Sequence, residues 1–154
     1  YTSTQNTHDG PHADLYRARA AALSMIPTTT GAADVLGAVL PELSGRITGH
    51  AIRVPTPNVS CIDLVVDLSR EATADDINAM FDSAARGSYR GIVDTTDRKL
   101  VSADFRQNPH SAIIAGDQTR TQGKMARILA WYDNEWAFAH RMIDVVRTMG
   151  AQGF

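Results

Sequence analysis

Apolar and polar positions alternate along this chain with two periods, and the change from one to the other marks out its elements. Residues 1–16 carry no period and read as a long polar loop with Gly10-Pro11 in its middle, a length that points to function or disorder. Residues 17–26, rich in alanine, predict a short helix that Pro27 stops. Val35, Leu36, Val39 and Leu40 recur at helical spacing over 31–40, with Ser44-Gly45 as the exit. Two strands are predicted over 46–54 and 58–68. A helix then opens at Thr73, with Asp76 three residues on as a weaker capping box. Ile77, Met80, Phe81 and Ala84 form its expected buried stripe, and Gly87 ends it. Strands are expected near 91–94, 100–105, 111–115 and 124–132. A last helix over 135–149 places Phe138, Met142, Val145, Val146 and Met149 on its expected inner side. Strands dominate the middle without strict alternation with helices. That predicts an α+β architecture, a mixed and largely antiparallel sheet covered by helices.

The chain has 154 residues, one domain by length. Its 44% hydrophobic and 21% charged content is that of an ordinary globular protein. A net charge of −2 without a Lys/Arg cluster argues against a nucleic-acid partner. No apolar run approaches the ~20 residues of a membrane span. The N-terminus has no signal-peptide pattern. A single cysteine, Cys61, makes no internal disulfide, so a cytoplasmic setting is expected. The chain begins at Tyr1 and reads as a fragment of a longer protein.

Two segments suit anions. Ile52-Arg53-Val54-Pro55-Thr56-Pro57 holds an arginine at a strand end beside a rigid turn, where its planar fork suits phosphate or carboxylate. By residue type alone, Arg53 in a surface ion pair is the commoner case. Pro27-Thr28-Thr29-Thr30-Gly31 leads into a predicted helix, where hydroxyls and backbone N–H groups form either an ordinary N-cap or an anion seat. Trp131-Tyr132-Asp133-Asn134-Glu135 sits at a strand-to-helix junction, with Asp133 or Asn134 as the N-cap.

In this order and at these separations, Thr28-Thr-Thr-Gly-Ala-Ala33, Arg53-Val-Pro-Thr-Pro-Asn-Val59 and Trp131-Tyr-Asp-Asn-Glu135 resemble the catalytic domain of the phosphorylating glyceraldehyde-3-phosphate dehydrogenase family. The resemblance runs from Tyr1 to about Met149. It implies that Arg53 binds the substrate's phosphate together with Thr2, Thr4 and Arg17, while Arg19 takes a structural ion pair. It implies that Thr30 and Gly31 bind the inorganic phosphate that attacks the acyl-enzyme. It implies that Asn134 hydrogen-bonds the nicotinamide carboxamide of NAD, that Phe138 stacks nearby, and that residues 1–16 are an S-shaped loop packing on a neighbouring subunit of a homotetramer. Pro11 would then lie near the adenosine side of the cofactor, and Gly10-Pro11 is similar to the NAD-preferring pattern, with NADP as the alternative.

The function implied is NAD-dependent oxidation of glyceraldehyde 3-phosphate to 1,3-bisphosphoglycerate through a thioester. Asp104–Ser111, Gln118-Thr-Arg120 and Phe138 resemble instead the erythrose-4-phosphate branch of the family. The catalytic Ser-Cys-Thr-Thr-Asn segment, the histidine base and the nucleotide-binding domain are expected upstream, so the fragment alone is expected to be inactive. Cys61 lies in an apolar strand pattern and is expected to be a small buried hydrophobe, not a nucleophile. His8, His12, His50, His110 and His140 have no metal-ligand spacing, and no metal is expected. A non-catalytic anion-binding or oligomerisation module is the alternative of another class.

Overall fold

The computed structural model describes residues 1–153, less the side chains of Ala33 and Asp34. The chain divides into two compact units, Tyr1–Pro57 and Asn58 onward.

The first unit is built on a loop and a small sheet. Strand β1 (Ile26–Thr28) pairs antiparallel with β2 (Ala51–Arg53), Ile26 opposite Arg53. Helix α1 (Ala32–Val39) lies between them in sequence, and Val35 and Val39 on it are exposed. The helix expected over 17–26 does not form; turns take its place until β1 begins. Buried Gln5 explains why, since its Nε2 donates to Arg19 O at 2.8 Å and to Tyr16 O at 3.2 Å. Asp9 Oδ1 accepts from Ala20 N at 2.8 Å, and Ala21 N donates to Asn6 O at 2.9 Å. Backbone groups that a helix would pair internally are taken by the loop, and local propensity yields to them. The strand expected over 46–54 shrinks to the three residues of β2.

The second unit is a five-stranded sheet. Strands β3 (Ser60–Asp67), β4 (Val93–Thr96), β5 (Ala112–Ala115), β6 (Arg120–Gln122) and β7 (Met125–Tyr132) arrange as β3-β7-β5-β4, with β6 also on β7. Among the described strands, β4–β5 pairs in parallel and the other pairs of this sheet are antiparallel. The sheet is therefore mixed and largely antiparallel, as the pattern predicted. Helix α2 (Ala74–Arg86) covers one face. Its Ile77 is buried with Ile114, Ala126, Ile128 and Ala130, and Phe81 packs against them. On the opposite face Val59, Phe105 and Ile113 form a second cluster, with Trp131 stacked on Phe105 at 5.5 Å between centroids. Cross-strand pairing sets these faces, since Ile113 lies opposite Trp131 and Ile114 opposite Ala130.

Three expectations change. Residues 102–105 form a 3-10 turn, not a strand, because Asp104 Oδ2 accepts from Val101 N at 2.8 Å. Met80 is exposed. Helix α3 (Asn134–Ala151) forms where expected, but Phe138, Met142, Val145, Val146 and Met149 are exposed, so its apolar stripe is not an inner side within this chain. Among the described residues no helix is long and apolar enough to cross a membrane.

Thr73 caps α2 with a reciprocal box. Its Oγ1 accepts from Asp76 N at 3.1 Å, and Thr73 N donates to Asp76 Oδ2 at 3.0 Å. Thr73→Ala is expected to cost about 1 kcal/mol. Chemical denaturation of the full-length protein checks this, and an unchanged midpoint would show that packing alone holds the helix.

Candidate functional site

The first unit gathers three of the expected phosphate-binding side chains. Register places Arg53 at the end of β2, where Val54-Pro55-Thr56 turns tightly with Thr56 N donating to Val54 O at 2.7 Å. The Tyr1 nitrogen donates to Thr56 O at 2.7 Å and holds the first residues against that turn. Arg53 Nη2 then donates to Thr4 Oγ1 at 3.2 Å, and the Thr4 and Thr2 hydroxyls lie 3.4 Å apart. Arg53 Nε and Nη1 are buried and have no hydrogen-bond partner among the described residues. Arg53 takes no part in an ion pair there, against the commoner expectation for a strand-end arginine. A buried donor without a partner costs about 1–3 kcal/mol. Two such donors on one guanidinium, with hydroxyls beside it, make a geometry that a planar or tetrahedral oxyanion satisfies.

Arg127 shows the contrast. It meets Asp63 through Nε–Oδ1 at 2.7 Å and Nη2–Oδ2 at 2.8 Å, a closed fork on the sheet surface. The Arg127 hydrogen bond holds the Asp63 carboxyl below its ordinary value. A surface cavity of about 440 Å³ beside α2 is lined by Asp75, Asp82 and Asp97, and carboxylates there repel phosphate.

The other expected anion ligands have no described hydrogen bond to this cluster, and Arg17 Nε is, like Arg53 Nε, buried without a hydrogen-bond partner among the described residues. Arg17 Nε lies 3.6 Å from Asp14 Oδ2, and no described hydrogen bond joins Arg17 to Thr2, Thr4 or Arg53. Arg19 forms the expected structural ion pair, Nε to Asp9 Oδ1 at 3.2 Å. Gly31 is the N-cap of α1 and makes no side-chain cap, while Thr30 Oγ1 accepts from Ala32 N at 3.2 Å. A side chain on Gly31 would meet nothing within 4 Å, so the helix start is open. Pro11 is exposed.

In the second unit Asp133 is the N-cap of α3, and it is 1% exposed. Its Oδ1 accepts from Trp136 N at 3.0 Å; its Oδ2 accepts from Gln107 N at 2.8 Å and from Asn58 Nδ2 at 3.1 Å. Burial pushes this carboxyl up, but the N–H groups of Trp136 and Gln107, the Asn58 amide and the Glu135 N–H outweigh it and hold the pKa below the ordinary 3.8. Asn134, the next residue, is exposed in the first turn of α3 and accepts at Oδ1 from Ser60 Oγ at 3.3 Å. Phe138, one turn on, is 65% exposed. Ser60 carried no signal in the sequence, because only the β3–β7 register, Ser60 opposite Tyr132, brings it to Asn134.

Cys61 is exposed, contrary to the expectation of a buried residue, since β3 forms one side of the sheet. Its thiol is nonetheless pushed up, by partial desolvation and then by the Asp63 charge, which is the reverse of an activated nucleophile. Among the described residues no three metal-ligating side chains gather.

The family model for the glyceraldehyde 3-phosphate dehydrogenase C-terminal domain matches residues 1–134. This chain belongs to the glyceraldehyde-3-phosphate dehydrogenase family. It is 54% identical over 151 residues to glyceraldehyde-3-phosphate dehydrogenase of Cereibacter sphaeroides, which covers 97% of this chain and 45% of that protein. It is 50% identical over 153 residues to glyceraldehyde-3-phosphate dehydrogenase 2 of Bacillus subtilis, covering 99% of this chain and 45% of the relative. The Mycobacterium tuberculosis enzyme is 48% identical over 97% of this chain. The chain thus spans somewhat under half the length of these relatives.

Asp133 titrates with a definite sign. A depressed folded pKa means that its contribution to stability is present above pH 3.8 and is lost as pH falls through the folded value. Asp133→Asn is expected to destabilise by roughly 2–4 kcal/mol near neutral pH, because the amide keeps one acceptor oxygen and turns its NH₂ toward at least one of the three donors. The gap to wild type should narrow below pH 3.8. Urea unfolding at neutral and acid pH measures it, and a pH-independent gap would contradict an ionised Asp133.

Proposed function

We propose that this chain is the phosphate- and nicotinamide-recognising part of an NAD-dependent, phosphorylating glyceraldehyde-3-phosphate dehydrogenase. The observation that carries the reading is the open Arg53 fork beside the Thr2 and Thr4 hydroxyls. In the proposed reaction glyceraldehyde 3-phosphate is oxidised to 1,3-bisphosphoglycerate through a thioester. The reacting thiol and its histidine base belong to the part of the protein that this chain does not span.

Within this chain, Arg53 with Thr2 and Thr4 holds the substrate's phosphate and so fixes the aldehyde end relative to the reacting thiol. Arg17 adds positive charge to that seat. Thr30 and Gly31 seat the inorganic phosphate at the start of α1, with hydroxyl and N–H donors. Asn134 orients the nicotinamide through its carboxamide, and Phe138 offers an exposed ring beside it. The exposure of both side chains at the first turns of α3 fits that end of a cofactor. NAD, when bound, supplies the hydride acceptor. Residues 1–16 form the loop that packs on a neighbouring subunit of a homotetramer, with Pro11 near the adenosine side of the cofactor. The setting proposed is the cytoplasm. Erythrose 4-phosphate is the competing substrate, favoured by Phe138 and by residues 104–111, and relative kcat/KM values for the two aldehydes separate them.

Arg53→Ala in the full-length protein is expected to lower kcat/KM for the aldehyde by the equivalent of roughly 2–3 kcal/mol. Arg53→Lys should rescue it only in part, because an ammonium lacks the fork. Steady-state kinetics at saturating NAD decide, and an unchanged kcat/KM for Arg53→Ala would leave Arg53 a structural residue.

A further inference from the structure

The residue that carries the nicotinamide contact in this reading, Asn134, is exposed, and one hydrogen bond to its side chain is described. Ser60 Oγ donates to Asn134 Oδ1 at 3.3 Å. An amide has a carbonyl end that accepts and an NH₂ end that donates, and which end faces a ligand decides what it recognises. With Oδ1 engaged by a hydroxyl, the Nδ2 hydrogens remain for an outside acceptor.

The backbone that carries the hydroxyl is constrained. Val59, the residue before Ser60, has φ 74°, a left-handed conformation that a β-branched side chain adopts only under constraint. The constraint is visible on both sides. Val59 is 8% exposed in the cluster with Phe105 and Ile113, and its N–H donates to Asn58 Oδ1 at 2.6 Å. Asn58 Nδ2 in turn donates to Asp133 Oδ2. Ser60 then enters β3 opposite Tyr132, two residues before Asn134. One buried carboxylate therefore fixes both ends of the Ser60–Asn134 contact, the serine through Asn58 and the asparagine as the next residue in the chain.

We propose that Ser60 is a positioning residue for the cofactor: its hydroxyl turns the Asn134 amide so that Nδ2 donates to the carbonyl oxygen of the nicotinamide carboxamide. The proposal rests on the reading of Asn134 as the nicotinamide contact. Ser60 touches neither substrate nor cofactor, and its effect is confined to the orientation of one amide. In Ser60→Ala the amide rotates freely and presents either end. In Ser60→Thr the hydroxyl is kept.

The test uses the full-length protein with NAD and with its 3-acetylpyridine analogue, which keeps the carbonyl oxygen and lacks the carboxamide nitrogen. Ser60→Ala is expected to raise KM for both dinucleotides by the same factor, roughly threefold to tenfold for one hydrogen bond, with KM for the aldehyde unchanged. Ser60→Thr should restore it. In a double-mutant cycle, Ser60→Ala should add nothing to Asn134→Ala. An unchanged KM for NAD in Ser60→Ala, with Asn134→Ala impaired, overturns the role of Ser60 and leaves the reading of Asn134 standing. A rise for NAD alone overturns the donor orientation. A rise in KM for the aldehyde equal to that for NAD, or no rescue by threonine, overturns a positioning role in favour of a structural one. If Asn134→Ala itself leaves KM for NAD unchanged, the cofactor reading of Asn134 falls and this inference with it.

Discussion

A single buried carboxylate organises the sheet unit. Asp133 stands where β7 ends and α3 begins, and it accepts hydrogen bonds from the start of α3, from the 105–108 turn and from Asn58 at the entry to β3. Gln107 and Val59, the non-glycine residues with positive φ among the described residues, both lie next to these bonds. Gln107 donates to Asp133 directly, and Val59 follows the asparagine that does so. Strained backbone persists where its surroundings over-determine it. Here a charge that must be paired in the interior supplies that determination, because an unpaired buried carboxylate is far costlier than two unusual φ angles. Trp131 stacks on Phe105 beside the same junction.

The Arg53 guanidinium is the opposite case. Asp133 has its acceptor capacity used by its own chain, so its role is architectural. Among the described residues Arg53 has Nε and Nη1 buried with no hydrogen-bond partner, and Nη2 engaged by a threonine hydroxyl. Arg127, with Nε and Nη2 closed on Asp63, is the contrast, while Arg17 and Arg141 each leave only Nε buried without a hydrogen-bond partner among the described residues. Two unsatisfied donors on one guanidinium, with threonine hydroxyls beside it, mark Arg53 as the candidate site.

Local signals were legible in the sequence and long-range ones were not. The Thr73–Asp76 box and the α3 cap are each contained within four residues; the box forms as its spacing predicts, and of the two caps the sequence offered, Asp133 and Asn134, the structure uses Asp133. The long strands β3 and β7 and the mixed sheet followed from hydrophobic runs. Residues 17–26 misled because alanine propensity says nothing of Gln5 and Asp9, which claim the backbone of Arg19 and Ala20 from more than ten residues away. Residues 100–105 misled because one aspartate bends an apolar segment into a turn. The stripe on α3 was read correctly as a periodicity, but period fixes which side is apolar and not what covers it. Arg53 was legible through its motif; its open fork was not, since the loop that sets Thr4 against it is an irregular segment. Ser60 was invisible because its neighbour Asn134 is distant in sequence and is reached only through strand register.

The central claim is that the Arg53 fork is completed by an anionic oxygen. The most direct measurement is the ¹H–¹⁵N resonance of the Arg53 Nε–H group in the full-length protein, assigned by Arg53→Lys, during titration with inorganic phosphate and with a non-reactive phosphorylated analogue of the aldehyde. The account predicts a saturable downfield shift and slowed solvent exchange of that one proton with the analogue, as the unpartnered donor gains a charged acceptor. A resonance that stays in place at saturating analogue, while the analogue still inhibits, would contradict it and put the phosphate elsewhere.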